Sequence, residues 1–147
     1  MKSSIIYYGI IPLGGSKMND YIIDFLKEIM AIDSPSGYTK EVIHHCQKEA
    51  ENLGFHTHQT NKGNLEIYVE GQDDYTVGFC GHVDTLGLMV RSIKSDGTLA
   101  FTNVGGPIIP TLDGEYCRIH TRSGKCYTGT ILSNYPAVHV YKDAKSA

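Results

Sequence analysis

Seven histidines are the side chains here best suited to bind a metal or move a proton near neutral pH. His44 and His45 fall in a helical stretch, where adjacent positions point about 100° apart and do not easily share a metal. His56 and His58 alternate on one face of a strand-like run, an acceptable bidentate spacing. They have no neighbouring carboxylate or cysteine, so they read as a solvated face. His120 and His139 lie in a β-rich stretch and read as surface or core residues. His82 differs. It lies in Gly81-His82-Val83-Asp84-Thr85, directly after the apolar run Tyr75 to Cys80. In extended chain the two-residue spacing puts His82 and Asp84 on the same side. Asp84 can then accept a hydrogen bond from one imidazole nitrogen and leave the other to face a metal, an arrangement that fixes the tautomer and raises ligand basicity. Gly81 and Gly87 leave room for close backbone approach. The spacing alone is a weak signal, since chance supplies about 0.4 such pairs in a chain of this composition. A neutral His82 tethered to Asp84 at a strand end stays open beside the metal reading.

These residues must be positioned by the elements around them. From Asn19 the pattern is helical, with Ile22, Leu26, Ile29 and Asp33 on one stripe, flanked by Ile23 and Met30. Asn19 or Asp20 can cap its start. Ser34-Pro35-Ser36-Gly37 ends it, because proline disfavours helical geometry in the residue before it. A second helix is expected from about Thr39 to Leu53, burying Ile43, Cys46, Ala50 and Leu53, with Gly54 as a left-handed C-cap. The period then changes to two. Phe55 to Thr60 and Leu65 to Glu70 read as strands joined by the turn Asn61-Lys62-Gly63-Asn64. Tyr75 to Cys80, bounded by turn signals, reads as a strand buried on both faces. In an open α/β sheet, ligands bind beyond the carboxyl ends of such strands.

Beyond Thr85 no helical period remains. Leu88 to Lys94, Asp96-Gly97 and Leu99 to Thr102 form one hairpin pattern. Glu115 to Thr121 and Lys125 to Leu132 form a second, which faces Thr121 with Lys125 and Cys117 with Gly129. Ala137 to Tyr141 reads as a last strand. The fold class is therefore α/β, with a boundary near Thr85 before an all-β piece.

Composition narrows the function. The chain has 147 residues, 13 basic and 16 acidic side chains and a net charge of -3. No basic stripe exists to displace counterions from phosphates, which argues against a nucleic-acid partner. No apolar run approaches the roughly 18 to 20 residues that span a bilayer. Cys46, Cys80, Cys117 and Cys126 form no C-x-x-C pair, and the hairpin register separates Cys117 from Cys126. We read all four as thiols of a cytoplasmic protein. Residues 1–17 stand apart. They loosely resemble a secretory signal, but a misplaced start ahead of Met18 explains them better, with Gly14-Gly15 as a translated ribosome-binding site.

Several segments together resemble one known family, the tetrahedral (TET-type) glutamyl and deblocking metallo-aminopeptidases. Ile32-Asp33-Ser34-Pro35-Ser36-Gly37-Tyr38 resembles that family's S-P-S-G-Y between its first two helices, and Gly63-Asn64-Leu65 its G-N-L. The run from Gly81 through His82, Asp84 and Gly87 to Val90 is similar to its metal segment, A-H-M-D-E-I-G-L-M-V. Gly105-Gly106 and Pro136-Ala137-x-His139 look like its G-G and P-A-x-H. The likeness covers about Met18 to Val140, with five motifs in order.

The resemblance implies a dinuclear zinc or cobalt exopeptidase acting on peptides, in which His82 matches a metal ligand and Asp84 the acid that orients it. It implies an N-terminal part of a zinc-exopeptidase (phosphorylase/hydrolase-like) sheet-and-helix domain over 18–85. Over 86–147 it implies the start of an inserted all-β dimerisation domain, as in relatives that assemble into large homo-oligomers. The family's other ligands and its general base follow that insertion, so this chain is expected to be an N-terminal fragment, inactive alone. Two rivals are a non-catalytic assembly module that pairs with full-length subunits, and a zinc exopeptidase of the carboxypeptidase or acylase type. Leu86-Gly87-Leu88-Met89-Val90 and the early β insertion favour the TET type over the second. No pair of catalytic carboxylates supports a glucanase.

Overall fold

The computed structural model describes residues 15–72 and 74–133. They fall into two compact units that divide between Gly105 and Gly106.

The first unit opens with helix α1, Gly15–Ala31, and helix α2, Lys40–Asn52. Helix α1 starts upstream of Asn19 and Asp20, so neither caps it. The face it turns to α2 keeps Ile29 of the expected stripe but not Ile22 or Leu26. Tyr21, Phe25 and Ile29 are its partly buried positions, while Ile22, Leu26 and Met30 are each more than half exposed. The reason is the aromatic and polar pairing between the helices. Tyr21 stacks on Phe25, and Phe25 stacks on His45 with ring centroids 5.7 Å apart. The Tyr21 hydroxyl donates to Glu49 Oε1 at 2.8 Å, and His45 Nε2 lies 3.0 Å from Glu28 Oε2. Partial burial, and then the bond to Glu49, push the Tyr21 phenol up to about 12.

Helix α2 buries Val42 and Ala50 completely or nearly so, with Cys46 partly covered between them. Val42 replaces Ile43 as its deepest position. Leu53, expected inside, is exposed, because the chain has already left the helix there. Gly54 ends the helix at φ +85°, as its C-cap position demands.

Strands β1, His56–Gln59, and β2, Leu65–Tyr68, pair as an antiparallel hairpin in which Gln59 faces Leu65. Strands β3, Gly87–Ile93, and β4, Leu99–Val104, form a second around the Asp96-Gly97 turn. A bulge at Arg91 shifts its register.

In the second unit Pro110 sets a 3₁₀ turn, Ile109–Leu112, in a stretch expected to hold no helix. Strands β5, Tyr116–His120, and β6, Cys126–Thr130, follow. Cys117 faces Gly129, and the Thr121 amide donates to the Lys125 carbonyl, the register expected from the turn. The expected strand Ala137 to Tyr141 lies outside the described residues.

One expected strand does not form. Residues 75–80 adopt no regular structure, and Tyr75, Val77 and Phe79 are 72%, 63% and 96% exposed. A strand needs a neighbour to take its amides and carbonyls. Among the described residues every strand is already paired within its own hairpin.

Candidate metal site

The site is built on a contact between two loops that are far apart in sequence. The first is Ser34-Pro35-Ser36-Gly37, folded as a turn in which the Tyr38 amide donates to the Pro35 carbonyl at 2.7 Å. Gly37 supplies the left-handed conformation that the turn requires, at φ +87°. The second is the irregular run that carries His82 and Asp84. Ser34, fully buried, donates its hydroxyl to the Val83 carbonyl at 3.0 Å, and its own carbonyl accepts from the Thr85 amide at 2.8 Å. Pro35 and Thr85 pair as a single parallel bridge. A Cβ added to Gly87 would lie 2.5 Å from Pro35 Cβ, so only glycine permits this approach.

Held in this way, Asp84 divides its two oxygens between two partners. Oδ1 lies 2.9 Å from His82 Nδ1, and Oδ2 accepts a hydrogen bond from the Ser36 hydroxyl. Nδ1 also lies 3.2 Å from the Asp84 carbonyl oxygen. Carboxylate and carbonyl oxygens only accept, so Nδ1 carries the imidazole proton. In the neutral ring, Nε2 is then the nitrogen with the lone pair. The His82 side chain is 83% exposed, so that lone pair is open to a ligand. The Ser36 bond, and then the His82 bond, hold the Asp84 carboxyl below the usual carboxylate range and keep it ionised.

An Nε2 lone pair backed by a carboxylate at Nδ1 fits one ligand position of a divalent metal. Among the described residues no three histidine, cysteine, aspartate or glutamate side chains converge to complete such a site. The other histidines lie elsewhere. His45 is engaged between α1 and α2, and His56 and His58 stand exposed on β1, where they face Tyr68 and Glu66. His139 is outside the described residues. Ser34 and Ser36 carry no role on sequence grounds beyond ending a helix. The available signal was that S-P-S-G contains two hydroxyls on a rigid turn.

The chain matches known proteins, and the family-model match includes His82 and Asp84. A model of the M42 glutamyl aminopeptidase family matches residues 63–147. A putative aminopeptidase, YhfE, of Bacillus subtilis is 43% identical over 126 residues, which cover 85% of this chain and 36% of that protein. A glutamyl aminopeptidase of Lactococcus lactis subsp. cremoris is 26% identical over 106 residues, covering 71% of this chain and 30% of that protein. The crystal structure of a TET aminopeptidase from a marine-sediment Thaumarchaeota archaeon superposes with a TM-score of 0.76 at 26% identity. That match covers 87% of this chain and 36% of the archaeal one. The chain thus spans about a third of the length of these relatives.

Proposed function

The chain belongs to the M42 glutamyl aminopeptidase family, and on that premise we propose that it contributes a metal ligand to an enzyme that removes N-terminal residues from peptides. The observation that carries this reading is the His82–Asp84 pair, with Nδ1 committed to the carboxylate and Nε2 open. In this reading His82 binds one of two divalent ions, zinc or cobalt. Asp84 holds the imidazole in the tautomer that can bind. The ions, when bound, supply polarisation of the scissile carbonyl and a lowered pKa for water. The aminopeptidase names of the relatives favour peptides with a free amino end as substrate.

A dinuclear centre needs about five or six protein groups, and a lone imidazole holds zinc weakly. We therefore place hydrolysis in an assembly that provides the remaining ligands and general base, and expect none from the 147-residue polypeptide alone. Residues 18–85 are assigned to the sheet-and-helix catalytic domain and 86–147 to the start of a β-rich dimerisation domain in a homo-oligomer. Cys46, Cys80, Cys117 and Cys126 are all free, which favours the cytoplasm. No helix among the described residues is long and apolar enough to cross a membrane.

The test is a chimera in which this chain replaces the aligned residues of the Bacillus relative. It should hydrolyse aminoacyl p-nitroanilides only with zinc or cobalt, and His82→Ala should abolish turnover. Asp84→Asn should weaken metal binding about ten- to a hundredfold. Metal-dependent turnover indifferent to His82→Ala would overturn the assignment. Robust turnover by the 147-residue chain alone would overturn its expected inactivity.

A further inference from the structure

Asp84 is 38% exposed, so water competes for both of its oxygens. A carboxylate turns easily about its last torsion, which has broad, roughly two-fold minima. One bond to a solvent-exposed imidazole does not fix such a group, and something must hold the second oxygen. The Ser36 hydroxyl does so by donating to Oδ2. Ser36 itself is fixed in place. It lies inside the Pro35–Tyr38 turn, whose shape is set by the proline and by Gly37. The turn is anchored to residues 83–85 through Ser34 on both its hydroxyl and its carbonyl. Ser34 has no hydroxyl to spare for Asp84, because it already bonds the Val83 carbonyl.

We infer that Ser36 is a positioning residue: its hydroxyl orients the Asp84 carboxylate so that Oδ1 accepts a hydrogen bond from His82 Nδ1–H and Nε2 is left as the ligand nitrogen. The inference rests on the metal role proposed for His82, but its immediate consequence, the tautomer of a metal-free histidine, does not require that role. Ser36 acts through Asp84 and touches neither metal nor substrate.

The experiment is long-range proton–nitrogen NMR of the metal-free 147-residue chain labelled with nitrogen-15 histidine, at a pH where imidazole is neutral. His82→Ala identifies the His82 signals. The wild-type ring should be held as the Nδ1–H tautomer. Ser36→Ala should raise the Nε2–H population about threefold, as the loss of one modest hydrogen bond allows, and Ser36→Thr, which keeps the hydroxyl, should restore it. An unchanged tautomer in Ser36→Ala overturns the inference. So does a shift in Ser36→Thr as large as that in Ser36→Ala, which would trace the effect to the fold of the turn and not to the hydroxyl. A tautomer that responds as expected, beside a chimera indifferent to His82→Ala, would leave the positioning role standing and remove only the metal reading.

Discussion

The stretch from Tyr75 to Gly87 has two halves held in opposite ways. The downstream half, Val83 to Gly87, is tied to Ser34-Pro35-Ser36 by hydrogen bonds at Val83, Asp84 and Thr85 and by the packing of Gly87 on Pro35. The upstream half, Tyr75 to Cys80, is the more apolar, yet it has no regular structure and leaves Phe79 almost fully exposed. Fully burying a phenylalanine is worth about 1.5–3 kcal/mol, and here none of that is gained. Polar geometry at a site needs only a few well-placed partners, which one turn can supply. Apolar burial needs an extended covering surface, and no described element supplies one. The site is therefore positioned by hydrogen bonds to one turn, with no covering core behind it among the described residues.

The sharpest way to break this contrast is Gly87→Ala. The new methyl would meet Pro35 Cβ at 2.5 Å and Cγ at 3.2 Å, and a proline ring cannot swing aside. The two loops must part, at a cost of about 1–3 kcal/mol. We expect a lower urea midpoint and faster exchange of the Thr85 amide, whose partner is the Ser34 carbonyl. A Thr85 amide as protected as in the wild type would show that the loops are not held together here. Ser34→Ala is a milder break. It removes a buried hydroxyl and leaves the Val83 carbonyl short of a partner, for about 1 kcal/mol. The loss should appear in the same denaturation curve, with Thr85 still bonded to the backbone of residue 34.

Local patterns were the legible part of the sequence. The turn Arg122-Ser123-Gly124 fixed the pairing of Cys117 with Gly129, because a short hairpin loop sets register directly. The His82–Asp84 contact followed from a two-residue spacing in extended chain. Partners distant in sequence were not legible. Nothing local says that Ser36, 48 residues before Asp84, would hold its second oxygen. The facing stripe of α1 was misplaced for the same reason. Apolar periodicity favoured Ile22 and Leu26, while Tyr21 and Phe25 pack because α2 presents His45 and Glu49 to them. The run Tyr75 to Cys80 has the composition of a buried strand, but composition does not supply neighbouring strands.

That last point can be tested by one substitution in two contexts. In the 147-residue chain, Phe79→Ala removes a ring that is 96% exposed, so stability measured by urea denaturation should change by less than about 0.5 kcal/mol. In the chimera, where the remaining two-thirds of the relative is present, the proposed sheet would cover the same ring. There Phe79→Ala should cost about 3 kcal/mol or more, the usual loss for a buried phenylalanine. A large cost in both contexts would mean that the ring is already buried in the short chain, and the contrast between the two halves would fail. A small cost in both would mean that the apolar run has no sheet to join. Only the pair of results, small and then large, fits a segment whose His82–Asp84 end is held by one turn and whose apolar end depends on a covering sheet.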